Sequence, residues 1–329
     1  MATYTSIDLD DARIIGHQFG VQPTRLAAIA AGSVNSNYRL ETAGGPSYLV
    51  RIYEEATAVD AEAEARLLQR LAAAGIPTPC PLARLDGRGV TVPAPASVGA
   101  RPVALFPWRD GETSCQARVT VPVAARVGAL VARLHLALAG VAEHRTVRFG
   151  IAQLRSRLHT IATVADPELR SVAPVIAERL DRAEAARNPT LPGGVVHSDL
   201  FRDNVLWRDG SIVAVLDFES AERHPWAYDL MVTVLAWCYG DDLDLGLVRA
   251  MLAGYQTVRP LAPAERIALG PEGRIAALRF TITRITDFAL RTNRESHVMK
   301  DWRRFRGRLA RLDALGDAAI AALAAPAQQ

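Results

Sequence analysis

Lysine is almost absent from this 329-residue chain. Lys300 is the only one, and arginine supplies the rest of the 38 basic side chains, a bias that mostly reflects coding composition. Cysteine is also scarce: Cys80, Cys115 and Cys238 are far apart and form no Cys-x-x-Cys. That excludes a disulfide framework or a cysteine zinc site and fits reduced thiols in a cytoplasmic protein. There is little net charge, +3, which argues against dedicated nucleic-acid binding. No apolar run is long enough to span a membrane, because the longest, Val119 to Ala142, is broken by Arg126, Arg133 and His135. Met1 to Asp11 is acidic and has no apolar centre, so no signal peptide is expected there. Walker-A and full G-x-G-x-x-G patterns are missing, as are internal repeats and heptads.

What is present is an ordinary globular composition, half apolar and 22% charged. The length exceeds one typical domain and suits two lobes sharing a cleft.

The chemistry concentrates in one stretch. Val195-Val196 runs into His197-Ser198-Asp199, Asn204 follows five positions after the Asp, and Val213 to Leu216 leads to Asp217-Phe218-Glu219. Between them Asp209-Gly210 marks a two-residue hairpin turn. If those two residues are the loop, Asn204 falls opposite Val215, and Asp217 shares its face. Asn204 and Asp217 are then diagonal neighbours roughly 7–8 Å apart, a spacing from which both can reach one Mg2+ at ~2.1 Å. One carboxylate to take a hydroxyl proton, with an amide and a second carboxylate on magnesium, is the equipment of phosphoryl transfer.

His197-x-Asp199-x-x-x-x-Asn204 followed by Asp217-Phe218-Glu219 resembles the catalytic and metal loops of the aminoglycoside phosphotransferase and choline kinase superfamily. The resemblance implies an α+β, protein-kinase-like two-lobed fold. Residues 1–106 would form a small β-rich nucleotide-binding N-lobe, and 107–329 a helical C-lobe with the catalytic loop, metal site and acceptor pocket. It implies ATP and Mg2+ as cofactors, Asp199 as catalytic base, and Asn204 and Asp217 as metal ligands. Asp229, in Tyr228-Asp229-Leu230, resembles the residue that buttresses the catalytic loop, and His135 reads as a packed core histidine.

In the expected N-lobe, a helix over Leu9 to Phe19 precedes strands at Leu26 to Ala30, Asn37 to Thr42 and Tyr48 to Tyr53. The turn holding Ser33, Asn35 and Asn37 reads either as an ordinary hairpin or, by the resemblance, as a cover for nucleotide phosphates. Arg51, inside an apolar strand, needs a partner or a ligand, and the resemblance makes it the phosphate-anchoring cation. Glu64, on a helix over Val59 to Ala74 that ends at Gly75, is its expected partner, with Glu62 close by as the alternative. The strand through Phe106 runs into Pro107-Trp108. This is either a plain linker with a buried Phe or, by the resemblance, the hinge that meets adenine.

Helices are expected over Val121 to Leu138, Gln153 to Val164, Pro167 to Arg187, Trp226 to Cys238, Leu243 to Tyr255, Glu272 to Leu290 and Trp302 to Leu323. Gly32-x-x-Asn35-Ser36-Asn37-Tyr38, Ala236-Trp237-Cys238, Gly254-Tyr255-Gln256 and Leu278-Arg279-Phe280 look like the bacterial homoserine kinases of that superfamily. Those would transfer phosphate from ATP to L-homoserine. Arg284 and Asp287, three apart, form either an intrahelical ion pair or a grip on the acceptor's carboxylate and ammonium. Arg202 and Glu219 are further candidate acceptor contacts. Glu219 departs from the Phe-Tyr-Phe-Ala expected after the metal Asp and matches the broader phosphotransferase pattern. The basic stretch Arg291 to Leu312, mostly a solvated helix face, disfavours polycationic acceptors. A kinase for another small alcohol or for protein Ser/Thr is the alternative, and a non-catalytic nucleotide-binding module is disfavoured because no base or metal residue is missing.

Overall fold

The computed structural model describes residues 5–29, 34–96, 99–142, 147–290 and 300–325. Two compact units emerge, one from Met1–Glu112 with Leu206–Leu216, the other from Thr113–Val205, Asp217–Thr292 and Met299–Gln329.

In the first unit, Asp8 caps helix α1 (Leu9–His17), accepting from the N–H groups of Asp10 and Asp11. Strands β1 (Pro23–Ala28), β2 (Ser36–Thr42) and β3 (Tyr48–Ile52) follow, then α2 (Ala58–Ala73), β4 (Thr91–Pro93) and β5 (Pro102–Pro107). The strands form one antiparallel sheet in the order β1-β2-β3-β5-β4. Its apolar face buries Leu40, Val50, Val103 and Leu105 against Ala12 and Ile15 of α1. Thr57 and Asp60 close a capping box on α2, and Gly75 at φ 75° follows its end.

After β6 (Glu112–Thr113), helices α3 (Val121–Ala137), α4 (Ile151–Thr163) and α5 (Pro167–Ala185) begin the second unit, and β7 (Gly193–Val196) leads into the His197–Asp199 stretch. The hairpin of β8 (Val205–Arg208) and β9 (Ser211–Val215) turns at Asp209 and Gly210, both at positive φ (51° and 72°), as a tight primed turn requires. Within the first unit, Val215 N–H donates to the Pro77 carbonyl at 2.7 Å, and Thr78 Oγ1 to the Val215 carbonyl at 3.0 Å.

Strand β10 (Glu222–Pro225) pairs with β7, and α6 (Trp226–Trp237), α7 (Leu245–Gln256) and α8 (Pro263–Arg284) follow. Helix α6 is buried from Ala227 to Trp237. Helices α3 and α7 touch through backbone: a Cβ on Gly128 would collide with the Met251 carbonyl, and one on Gly254 with that of Ala125. Helix α8 starts nine residues before the expected Glu272. Its Pro263 occupies the first turn, where no N–H is needed, and the buried Glu272 is fixed by a bidentate pair with Arg187 at 2.8 Å. The expected Trp302–Leu323 helix is two, α9 (Arg303–Leu315) and α10 (Asp317–Leu323), divided by Gly316 at φ 74°.

Candidate active site

Four residues assigned to nucleotide binding converge in the first unit. Antiparallel register sets Asn37 opposite Arg51, and Arg51 Nε donates to Asn37 Oδ1 at 3.3 Å. Arg51 Nη1 lies 3.8 Å from Glu64 Oε1, whose side chain is 2% exposed, and its Cζ sits 5.5 Å over the Phe106 ring. Tyr53 Oη donates to the other Glu64 oxygen at 3.0 Å. Glu62 is occupied elsewhere, accepting from the backbone N–H groups of Val90 and Thr91 at 2.9 Å, so Glu64 is the carboxylate at Arg51. Asn35 Oδ1 accepts from Glu54 N–H at 3.3 Å. Phe106 lies inside β5, paired opposite Leu49, and is buried. Ser33 lies outside the described residues.

In the second unit the β7–β10 ladder ends at Val196 opposite Glu222 and delivers His197 and Asp199. Ser198 holds a left-handed φ of 62°, unfavourable for a residue with a Cβ. Its peptide groups are secured on both sides. Asp229 Oδ1 accepts its N–H at 2.6 Å, and the buried Arg279 donates Nη1 to its carbonyl. Arg279 is itself stacked 3.9 Å over Phe149 and 4.1 Å over Phe280. Asp229 Oδ2 meets His135 Nε2 at 2.9 Å, His135 Nδ1 meets Tyr255 Oη at 2.9 Å, and Arg259 Nη1 donates to that hydroxyl at 3.0 Å. The α3–α7 contact thus sets the far end of a polar relay that terminates on the loop of Ser198 and Asp199. Burial would raise Asp229, but the hydrogen bond and charge of His135 hold it below the usual carboxylate range.

Asp199 is pushed up to about 6, chiefly by burial. Asp217 adds to the rise, and Arg279, Lys300 and His197 oppose it. The one lysine of the chain therefore acts electrostatically on this carboxylate. The Asp199 carbonyl accepts from Phe201 N–H at 2.7 Å and from Asn204 Nδ2 at 2.8 Å. That second bond orients the Asn204 amide and leaves Oδ1 as the atom that could reach a metal.

Asn204 and Asp217 do not sit in the hairpin ladder, as the strand-register reading expected. Asn204 ends a 3-10 turn over Arg202–Asn204, and Asp217 follows β9 in a left-handed conformation at φ 62°. The turn chemistry of the two ends, rather than strand parity, sets their side chains. Among the described residues no group of three or more His, Cys, Asp or Glu is arranged to hold a metal. One oriented amide and one carboxylate fit Mg2+, which keeps several waters and takes few protein ligands.

Residues 25–261 match the phosphotransferase enzyme family (APH). The chain belongs to that family. Curated members are similar over most of its length: the homoserine kinase of Xanthobacter autotrophicus is 34% identical over 294 residues, 88% of each chain. That of Rhodospirillum rubrum is 34% identical over 291 residues, again 88% of each. Among solved structures, the amicoumacin kinase hAmiN in complex with AMP-PNP, Ca2+ and Ami superposes with a TM-score of 0.67 at 20% identity, covering 92% of this chain and 89% of that one. The microcompartment-associated aminopropanol kinase gives 0.64 at 19%, with 96% of each chain covered. These likenesses carry the fold, the protein-kinase-like α+β architecture with a small antiparallel sheet and a helical part.

The candidate acceptor contacts of this family member behave differently from one another. Arg202 Nη1 is spent on Gln116 Oε1 and on the Ala236 carbonyl at 2.7 Å, which ties the Arg202–Asn204 turn to the end of α6. Glu219 N–H donates weakly to Asp217 Oδ1 at 3.4 Å. Arg284 and Asp287 are not an intrahelical pair. The helix changes to π spacing over Ile285–Ala289, and Asp287 is taken by Arg157 while Arg284 Nη1 donates to the Asp301 carbonyl at 3.0 Å. Arg279 was visible in sequence only as part of a matching stretch, and nothing local announced that it would reach Ser198. No described helix is long and apolar enough to cross a membrane.

Proposed function

We propose that this protein is an ATP- and Mg2+-dependent kinase that phosphorylates the side-chain hydroxyl of L-homoserine, giving O-phospho-L-homoserine for threonine biosynthesis in the cytoplasm. The observation that carries the reading is the 34% identity over 88% of the chain to proteins named homoserine kinase, with the base and metal residues all present. Residues 1–106 serve as the nucleotide-binding lobe, and 107–329 carry the loop, metal ligands and acceptor pocket.

Asp199 accepts the acceptor's hydroxyl proton as the hydroxyl oxygen bonds to the γ-phosphorus and the β,γ-bridging bond breaks, releasing ADP. Its elevated pKa matches that role, since a base held near neutrality both ionises and retains affinity for the proton. Arg279 and Asp229 hold the peptide of Ser198 on either side and so fix where Asp199 stands. Arg51, oriented by Asn37 and Glu64, takes the phosphate-binding role that a lysine fills in other kinases. Asn204 Oδ1 and Asp217 would hold Mg2+, which would supply neutralisation of phosphate charge.

ADP release measured against a panel of alcohols tests the reading. L-homoserine should exceed choline, sugars and aminoglycosides by orders of magnitude in kcat/KM, because a site built around both of its charges leaves them unpaired with other acceptors. An enzyme active on another alcohol but inert on millimolar L-homoserine would overturn it.

A further inference from the structure

Helix α9 buries Phe305, Arg308, Leu309 and Leu312, so Arg308 lies on the apolar face and not on the solvated one. It is 5% exposed. Its guanidinium stands 4.7 Å from the Tyr239 ring and 4.3 Å from the Phe305 ring. Those faces offer cation–π attraction but no lone pair for its donors. Its buried Nε has no acceptor, and among the described residues no carboxylate pairs with it. Arg284 lies 4.5 Å over the same Phe305 ring, and its Nε is likewise buried without an acceptor. Arg304 and Arg202 add like charge around Arg308. A buried guanidinium with open donors is costly, and an anion seated between them would relieve that cost.

The cluster adjoins the catalytic loop. Phe305 packs 6.0 Å from Phe201, two residues beyond Asp199, and 4.8 Å from Phe280. Asp199 also exerts its charge on Arg284.

We propose that Arg308, with Arg284, is the receptor for the acceptor's carboxylate. The planar forks suit the two carboxylate oxygens, and they would hold the acceptor by its acidic end while Asp199 meets its hydroxyl. The assignment rests on the kinase reading above but specifies an anionic acceptor rather than homoserine alone. It also replaces the expected Arg284–Asp287 grip, since Asp287 is held by Arg157.

The test compares L-homoserine with 3-aminopropan-1-ol, the same amino alcohol without its carboxylate, in wild type, Arg308→Leu and Arg308→Lys. Wild type should strongly prefer L-homoserine. Arg308→Leu should raise the acceptor KM about 10- to 100-fold, the range for losing a charged hydrogen-bond partner, with the change falling on the acceptor and not on ATP. Arg308→Lys should recover part of the loss. A folded Arg308→Leu with an unchanged L-homoserine KM overturns the proposal.

If Arg308→Leu does not fold, wild type decides. L-2-aminobutyrate, which keeps the carboxylate but lacks the hydroxyl, should compete with the acceptor where propylamine does not. Absence of that competition, or stronger competition by inorganic phosphate, removes the carboxylate assignment. If L-homoserine is inert but another carboxylate-bearing alcohol is phosphorylated and its KM rises in Arg308→Leu, the homoserine reading falls and the receptor stands. A preferred acceptor without an anionic group would dispose of the receptor and leave the kinase.

Discussion

Asp229 accepts the Ser198 backbone N–H at 2.6 Å, one residue ahead of Asp199. The carboxylate is fully buried, and its other oxygen meets His135. Asp229→Ala would leave that N–H and His135 without their partner, and losing one member of a buried charged pair costs about 3–5 kcal/mol. Urea unfolding should show that loss. In material that remains folded, kcat should fall more than ATP affinity, because the left-handed Ser198 loses one of its two restraints. The folded-state pKa is depressed, so the contribution is present above the unfolded carboxylate value of roughly 4 and is lost as pH falls below it. The stability gap between wild type and Asp229→Asn should therefore narrow in acid.

Asp199→Asn should lower kcat by roughly 10²–10⁴-fold, the usual worth of a general base, while nucleotide binding survives. In wild type, kcat/KM should decline as pH drops through about 6, where the buried Asp199 takes up its proton. Arg279 and Lys300 both favour its ionised form, so Arg279→Met and Lys300→Met should each shift that limb upward. A limb that stays in place in both variants would show that another group governs it.

Much of this was legible in sequence, and the rest failed for identifiable reasons. Helix α2 carried its own start and stop, Thr57 with Asp60 and then Gly75, so its limits were readable to within a residue. The Asp209-Gly210 turn likewise fixed the hairpin. Spacing singled out Asn204 and Asp217 as candidate metal ligands, but their placement differs from the expected strand register, because the left-handed backbone at Asp217 comes from the loop and not from strand alternation. The helix expected from Glu272 begins at Pro263 instead, and the Arg187–Glu272 pair lies inside it. Arg279 meets Ser198 across 81 residues, a contact no local pattern encodes. Arg308 did leave a sign: Phe305, Arg308, Leu309 and Leu312 share one helical face, and that period marks the arginine as inward.

Asp217→Ala should abolish magnesium-dependent turnover, and Asn204→Ala should raise the magnesium concentration needed for half-maximal rate. Asn204 has a second task, since its Nδ2 donates to the Asp199 carbonyl at 2.8 Å. Asn204→Asp would give the metal a carboxylate but withdraw that donor, so it should bind the ion while still lowering kcat. Magnesium titrations of the three variants separate the two tasks, and unchanged titrations for Asp217→Ala and Asn204→Ala would refute the metal assignment.

Arg51 is held between Asn37, Glu64 and Phe106, and no described lysine lies in the first unit to replace it. Arg51→Lys keeps the charge but loses the planar fork and the Nε–H that donates to Asn37, so the ATP KM should rise while activity persists. Arg51→Ala also leaves the buried Glu64 carboxylate with only the Tyr53 hydroxyl at 3.0 Å among the partners described above, so it should lose more and lower stability as well. Glu64→Gln discriminates between binding and support. It keeps a hydrogen-bonding group beside Arg51 but removes the countercharge, which should weaken ATP binding if Glu64 chiefly orients the guanidinium. Should Arg51→Ala leave both the ATP KM and kcat at wild-type values, the phosphate-binding cation must be sought elsewhere.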